Sequence, residues 1–406
     1  MKSGQGSALV VAAIASAVCA APAFGQQASG AAGSTSGFAG ENWSLKLSGR
    51  VLLDYNIVEA DEADLDVSAG ETRLIKLGAA GKYGDNLAYK LELATDSSGD
   101  VSANDAYLDF KFANGWAIRA GQMKTPNSLD EQTSEIFTST LERAAFTDAF
   151  ELDRRLGVML HRNGRNYTFA AGVFGENLDA TGADEGMAVA ARGTYTPVNR
   201  EAALVHLGAS ARYLDQGEDS GLVRYRQRPF AHIPGRVVST GAIADSELLV
   251  ALEAAAIRGP VWAAGEYGRV TADCPACSAD PDFDGYYVEI GSFFGGRKTY
   301  KGGKFDRPKV DHPFTEGGPG ALSIVVRFDA VNLRDSAVDG GKLDTTALGL
   351  DWWPTSHVRA GLDLFSGDAR YGASTSGLDP AFAAQVLADA SSDTVQGAVA
   401  RLQFDF

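Results

Sequence analysis

The chain has 406 residues, with 36 lysines and arginines against 52 aspartates and glutamates, a formal charge of −16, and 45% hydrophobic residues. That apolar content excludes a mainly disordered chain, and the acidic balance argues against a nucleic-acid partner, which needs a basic face for phosphates. Three cysteines are too few for a disulfide scaffold.

Residues 1–25 read as a cleaved signal peptide. Lys2 supplies a short basic start, residues 8–18 (ALVVAAIASAV) an apolar segment, and Ala23-Phe24-Gly25 a small-residue cleavage site before Gln26. The apolar segment is too short to cross a bilayer as a helix, and no later apolar run reaches about 18 residues. Residues 26–42 form a Gly/Ala/Ser-rich linker, and residues 43–406 one exported domain.

From Trp43 onward the dominant period is two. Leu45, Leu47, Gly49, Val51, Leu53 and Tyr55 share one apolar face, whereas Lys46, Ser48, Arg50, Asp54 and Asn56 are polar. Similar alternation runs through 87–94, 106–112, 116–120, 156–160, 167–173, 322–328, 348–352 and 398–406. Short turns at 84–86, 114–115 and 163–164 join neighbouring strands as hairpins. Two all-β architectures satisfy this pattern. A soluble sandwich turns its apolar faces inward, whereas a transmembrane barrel turns them to lipid and lines its lumen with the charged faces. Tight turns alternate with long loops (124–154, 216–245, 367–394), and aromatics stand near strand ends (Trp43, Trp116, Tyr286-Tyr287, Trp352-Trp353). These features favour a 16-stranded antiparallel transmembrane β-barrel with inward-folded loops, both termini on the periplasmic side. The last strand ends on Phe406, resembling the C-terminal signal read by the bacterial barrel-assembly machinery.

Several segments carry a closer resemblance. GRVLLDY at 49–55, residues 76–112, and AGQMKTPNSLDEQTS, TLERAAFTDAF, RRLGVML and AGVFG within 120–175 are similar to the phosphate-selective porin O/P family. So are GYYVEIGSFF at 285–294, residues 308–329, and GKLDTTALGLDWWP at 341–354. The resemblance extends over most of the chain from about Ser48. It implies a homotrimeric outer-membrane channel whose inward-folded loops carry basic residues that pass anions, phosphate and polyphosphate among them.

Charge placement decides whether such a pore prefers anions, because low-dielectric walls focus the field of any charge lining a narrow lumen. Two basic clusters stand out. Arg224, Arg226 and Arg228 alternate along one extended segment, followed by His232 and Arg236. Arginine suits phosphate through its planar bidentate fork. The second cluster, Arg297, Lys298, Lys301, Lys304, Arg307 and Lys309, surrounds a single acid, Asp306, where strand parity calls for a short periplasmic turn. Both clusters are expected to line the lumen; basic loop residues in contact with lipopolysaccharide phosphates, or simply solvated, are the plainer alternatives. By alternation Arg50, Arg119, Arg155, Arg327, Arg359 and Arg401 face inward. There they form an anion track or pair with Asp54, Glu92, Asp105 and Asp109. The third loop (124–154) balances Lys124, Arg143 and Arg154 against seven acids, including Asp130, Glu131, Glu135, Glu142 and Glu151. A lysine-rich phosphate site is therefore not written within that loop.

Enzyme-like signals are weak. Cys274 and Cys277 read as a loop disulfide. The calcium-like start at Asp280 has Gly291 where a bidentate Glu belongs. The five histidines show no metal or triad spacing, and no Gly-x-Ser-x-Gly elbow occurs. No catalytic residue, metal ligand or cofactor is expected. The reading is a passive channel for small inorganic anions, embedded among outer-membrane lipid and lipopolysaccharide. A general or weakly cation-preferring porin and a non-conducting adhesin or structural barrel remain the alternatives.

Overall fold

Sixteen alternating segments close into one antiparallel barrel in the computed structural model, which describes residues 37–63, 65–180, 186–217, 220–374, 378 and 391–406. Residues 1–25 and the greater part of 26–42 lie outside the described residues. The wall begins with β2 (Trp43–Ala60), β3 (Val67–Tyr83), β4 (Leu87–Thr95), β5 (Val101–Lys111), β6 (Trp116–Lys124) and β7 (Arg154–Asn163). It continues through β8 (Tyr167–Phe174), β9 (Met187–Arg200), β10 (Ala203–Asp215), β13 (Ser246–Arg258), β14 (Val261–Asp273) and β15 (Asp282–Phe294). It finishes with β18 (Ala321–Arg334), β19 (Asp339–Thr355), β20 (Val358–Arg370) and β21 (Ser392–Asp405), which pairs back onto β2 from Arg50↔Asp405 to Ala60↔Val395.

The closure leaves the first residues of β2 without β21 beside them. A short strand, β1 (Gly37–Gly40), folds back there and pairs Gly37↔Lys46 through Gly40↔Trp43, covering what would be an open edge. The C-terminal Phe406 lies over Gly49, where a Cβ would meet its ring at 2.5 Å. Two further hairpins stand outside the wall ladder: β11 (Val223–Gln227) with β12 (Val238–Ala244), and β16 (Gly296–Lys301) with β17 (Lys304–Val310).

Period two becomes two faces. On β13 and β15 the outward Leu252, Val288 and Ile290 are exposed, whereas Glu253 and Glu289 point inward and are buried. An apolar outside around a charged inside is the inverse of a soluble barrel. Alternation also splits the aromatic pairs. Tyr286 and Trp352 face out, but their neighbours Tyr287 and Trp353 are buried inside the barrel. A double aromatic at a strand end therefore supplies one outward ring, not two.

At the end where β2 begins and β21 finishes, the connections are tight except for residues 295–320, which contain the β16–β17 hairpin. At the far end the loop 125–153 drops into the lumen, and 220–245, with β11–β12, lies over it. The wall is lowest over β4 to β8, whose strands have 8 to 11 residues.

Candidate functional site

The loop 125–153 determines the shape of the lumen, and the wall holds it by both polarities of its backbone. Glu266 on β14 accepts N–H bonds from Leu129 (2.8 Å) and Asp130 (2.6 Å) at the start of a one-turn helix, Leu129–Gln132, where Ser128 also caps Glu131. Asp329 on β18 accepts from Ala145 at 3.0 Å, and Asp363 on β20 from Leu141 at 2.7 Å. The loop's carbonyls meet guanidiniums: Arg359 reaches Thr138 (3.2 Å) and Ser139 (3.4 Å), and Arg401 reaches Leu141 (2.6 Å). A buried backbone left without such partners is costly, so these wall charges fix the loop. Packing completes the seat. Phe146 fills a slot opened by Gly268 and Gly285, where a Cβ would lie 2.9 and 2.6 Å from it.

This arrangement defines the place of three arginines expected to face the lumen. Arg327, Arg359 and Arg401 do point inward, but they are buried to 1%, 0% and 3% exposure beneath the loop. Arg327 binds Glu289 at 2.6 Å and Asp130 at 3.3 Å, Arg359 binds Asp351 at 2.6 Å, and Arg401 binds Asp54 at 2.6 Å. Neither Arg327 nor Arg359 lines the outer or the inner chamber described below, and their contacts with Asp130, Thr138 and Ser139 make them anchors of the loop. Of the other wall arginines, Arg50 pairs with Glu135 (3.0 Å) and Glu92 (3.5 Å), Arg119 with Asp109 (2.5 Å), and Arg155 with Glu176 (3.2 Å).

The acids of the third loop are also largely matched. Glu131 takes Lys124 and Arg143, Glu135 takes Lys76 and Arg50, Glu142 takes Arg73 and Arg401, and Asp148 takes Arg236. Burial alone would raise the Glu142 carboxyl, but the guanidiniums of Arg73 and Arg401 hold it at about 2. Burial likewise opposes the charge on Glu135, and Lys76 and Arg50 hold it well below the ordinary carboxylate range. An acidic loop in sequence becomes a nearly neutral one in place.

Two larger chambers and a smaller one stay open among the described residues. The outer one, about 550 Å³, runs from the third loop to Arg228, His232 and Arg236. The inner one, about 470 Å³, is lined by Lys90, Arg119, Lys124, Arg192, Lys301 and Lys304, with Asp105 and Asp306 as its acids. Lys124 lines both and stands where they approach each other. A side chamber of about 210 Å³ opens beside Glu151, Arg155 and Glu176, and holds Arg224 and Arg226.

The two sequence clusters reach these chambers differently. On β11, Val223, Tyr225 and Gln227 are buried, so Arg224 and Arg226 share the opposite face. Tyr225 locks the strand by donating to Glu247 at 2.7 Å. Arg228 donates to His232 O at 2.6 Å, and His232 meets Glu71 on β3 at 2.7 Å, so the loop straps across the mouth. The β16–β17 hairpin turns at Gly302 and Gly303, with φ of 59° and 83°, and enters the barrel from the end where β21 finishes. Gly303 presses against the wall, where a Cβ would lie 2.9 Å from Thr168 Oγ1, and its carbonyl accepts from Arg192 at 2.7 Å. Lys298 is buried between Trp262 (4.8 Å) and Phe305 (4.6 Å) and bonds Ser139 of the third loop at 2.5 Å. Burial pushes its ammonium down to about 8. Arg307 ties the hairpin to Asp405 and Ser356, Arg297 pairs with Glu201, and Lys309 lies 3.9 Å from Asp311. Only Lys301 and Lys304 of this cluster line the inner chamber.

Sequence reasoning missed Arg73, Lys76, Lys90, Arg192 and His161. Lys76, Lys90 and Arg192 sit at inward positions that alternation alone assigns. Arg73 does not: it is the unpaired residue of a bulge where the β2–β3 register shifts from Leu52↔Leu74 to Leu53↔Thr72. Cys274 and Cys277 form a disulfide in the loop after β14. Among the described residues no group of three or more His, Cys, Asp or Glu side chains is placed to hold a metal ion.

Comparison with known proteins agrees with this geometry. The family model described as phosphate-selective porin O and P matches residues 45–406. An uncharacterized protein of Caulobacter vibrioides is 35% identical over 334 residues, covering 78% of this chain and 67% of that protein. Porin O of Pseudomonas aeruginosa is 24% identical over 369 residues, covering 79% of this chain and 82% of its own. Among solved structures, an anion-selective porin from Comamonas acidovorans superposes with a TM-score of 0.57 at 12% identity, covering 90% of this chain and 100% of that one. The outer membrane channel DcaP of Acinetobacter baumannii does so with a TM-score of 0.54 at 16% identity, covering 91% and 99%.

Proposed function

Because the chain belongs to the phosphate-selective porin O and P family, and family and barrel fold point to an outer-membrane channel, we propose that it passes small inorganic anions by passive diffusion. The carrying observation is the residue of charge left after pairing. Of the described side chains facing the three chambers, Arg224, Arg226, Arg228, Lys301 and Lys304 have no ion pair, against Glu151 and Asp306. The buried Nε atoms of Arg224, Arg226 and Arg228 also lack a hydrogen-bond partner. Lys304 has its ammonium held down first by desolvation and then by the positive neighbours Lys90 and Arg192, which is the environment of a spot that attracts an anion.

In this reading an anion enters past Arg228 and Arg236, passes Lys124 between the chambers and leaves along Lys301 and Lys304. Paired charges shape the path, and unpaired ones set its potential, since exposed charges beyond about 8 Å are screened at physiological salt. Phosphate is accommodated by the guanidinium forks of the β11 segment. Export by cleavage of residues 1–25, assembly as a homotrimer, contact with lipopolysaccharide and insertion through the strand ending at Phe406 belong to the same proposal. Replacing Arg224, Arg226 and Arg228 together by Glu is expected to abolish or reverse chloride preference in planar bilayers. Unaltered selectivity would remove these arginines from the account, and titration with phosphate would show whether that ion blocks chloride current.

A further inference from the structure

Within the third loop one carboxylate stands apart. Asp130, Glu131, Glu135, Glu142, Asp148 and Asp153 each have a basic partner, but Glu151 has neither an ion pair nor a side-chain hydrogen bond among the described residues. Its backbone is in the left-handed region, with φ of 48°, which a non-glycine residue seldom adopts. Arg212 maintains that conformation by donating to Glu151 O at 3.0 Å and Phe150 O at 2.7 Å, and is itself held by Glu247. A strained residue over-determined by its surroundings, with its side chain left free, is the pattern of a functional position.

The side chain lies deep in the mouth yet remains open to water, where the outer chamber meets the side chamber. The same side chamber is lined by Arg224 and Arg226, whose Nε atoms lack partners. The volume of about 210 Å³ is that of about seven waters, more than a simple inorganic anion needs. A path built for anions alone gains nothing from a free carboxylate beside its arginines, since that carboxylate repels what they attract. Opposite charges lining one small chamber match a solute that carries both.

We propose that Glu151 is a specificity-determining residue that takes the ammonium group of small zwitterions while Arg224 and Arg226 take their carboxylate, so that amino acids pass beside simple anions. The inference rests on the channel reading above. Burial raises the Glu151 carboxyl while Arg226 and Arg212 pull it down, and the net direction is upward. Desolvation thus outweighs both guanidiniums, and a bound ammonium would add the ion-pair partner that the side chain does not have.

Alanine and lactate have nearly the same shape and differ in an ammonium against a hydroxyl, so their flux ratio into liposomes carrying the full-length protein isolates this contact. Glu151→Gln is expected to lower the alanine-to-lactate ratio about fivefold, the scale of one water-exposed charge pair. Glu151→Asp should keep the ratio within about twofold of the native value. Glu151→Gly accepts the left-handed backbone without strain and should behave as Glu151→Gln does, so a folding defect in one variant leaves the other informative. An unchanged ratio in both, with chloride conductance intact, overturns the assignment and makes Glu151 an internal counter-charge. Absence of any conductance in the unaltered protein would instead overturn the channel reading itself.

Discussion

Two arcs of the barrel wall use the same charged residue types to opposite effect. From β14 to β21, Glu266, Glu289, Arg327, Asp329, Asp351, Arg359, Asp363 and Arg401 are all buried to 6% exposure or less and hold the third loop. From β4 to β7, Lys90, Asp105, Arg119, Arg154 and His161 keep side-chain exposures of 14–28% and face the inner chamber or the loop's open edge. Nothing in the residues separates the arcs. The difference is that the loop lies against one of them, which turns an inward charge from a wall of the pore into a partner for buried backbone. A charge that the loop covers contributes to shape, and one it leaves uncovered contributes to the field.

Truncation should separate the arcs most sharply. Arg359→Met strips Asp351 and two loop carbonyls of their partner, and is expected to destabilise the seated loop by about 3–5 kcal/mol. Arg119→Met, at a pair that keeps 24% and 13% of its side-chain surface exposed and holds no loop backbone, should cost less, about 1 kcal/mol. Thermal unfolding of the detergent-solubilised protein, followed with single-channel noise, checks both; equal effects would erase the distinction between the arcs. Smaller is a pH effect at their junction. Glu142, with its pKa lowered from an ordinary 4.5 to about 2, supports loop docking above pH 4.5 and loses that contribution as pH falls through about 2. Open-channel current should therefore be steady at neutral pH and grow noisier toward that limit, whereas Glu142→Gln should already be noisy at neutral pH. The smallest effect is at the inner chamber, where Lys301→Gln with Lys304→Gln should lower chloride-to-potassium selectivity by about twofold without raising noise.

How much of this was legible in the sequence follows the same line. Period-two alternation reported the strands, their two faces and the closing strand at Phe406, because each depends only on residues close in the chain. The β11 arginines and the long insert at 295–320 were legible as anomalies of charge and length. Alternation placed Arg327, Arg359 and Arg401 inside, but could not say that a loop 197 to 260 residues away would cover them, as in the contacts Arg327–Asp130 and Arg401–Leu141. The acidity of the third loop was misleading for the same reason: its partners Arg50, Arg73 and Lys76 come from other strands. Arg73 escaped because a bulge breaks the parity that locates it. Local pattern gives the wall, and long-range contact decides which of its charges the permeating ion meets.

The central claim is that unpaired cations, not the net charge of −16 or the wall arginines, set the preference for anions. The reversal potential under a potassium chloride gradient tests it most directly, measured for the native channel and for one in which Arg224, Arg226, Arg228, Lys301 and Lys304 are all replaced by Gln. Chloride preference in the native protein and its loss in the variant are the predicted results. A native channel that prefers potassium, or a variant that keeps its preference for chloride, would contradict the account.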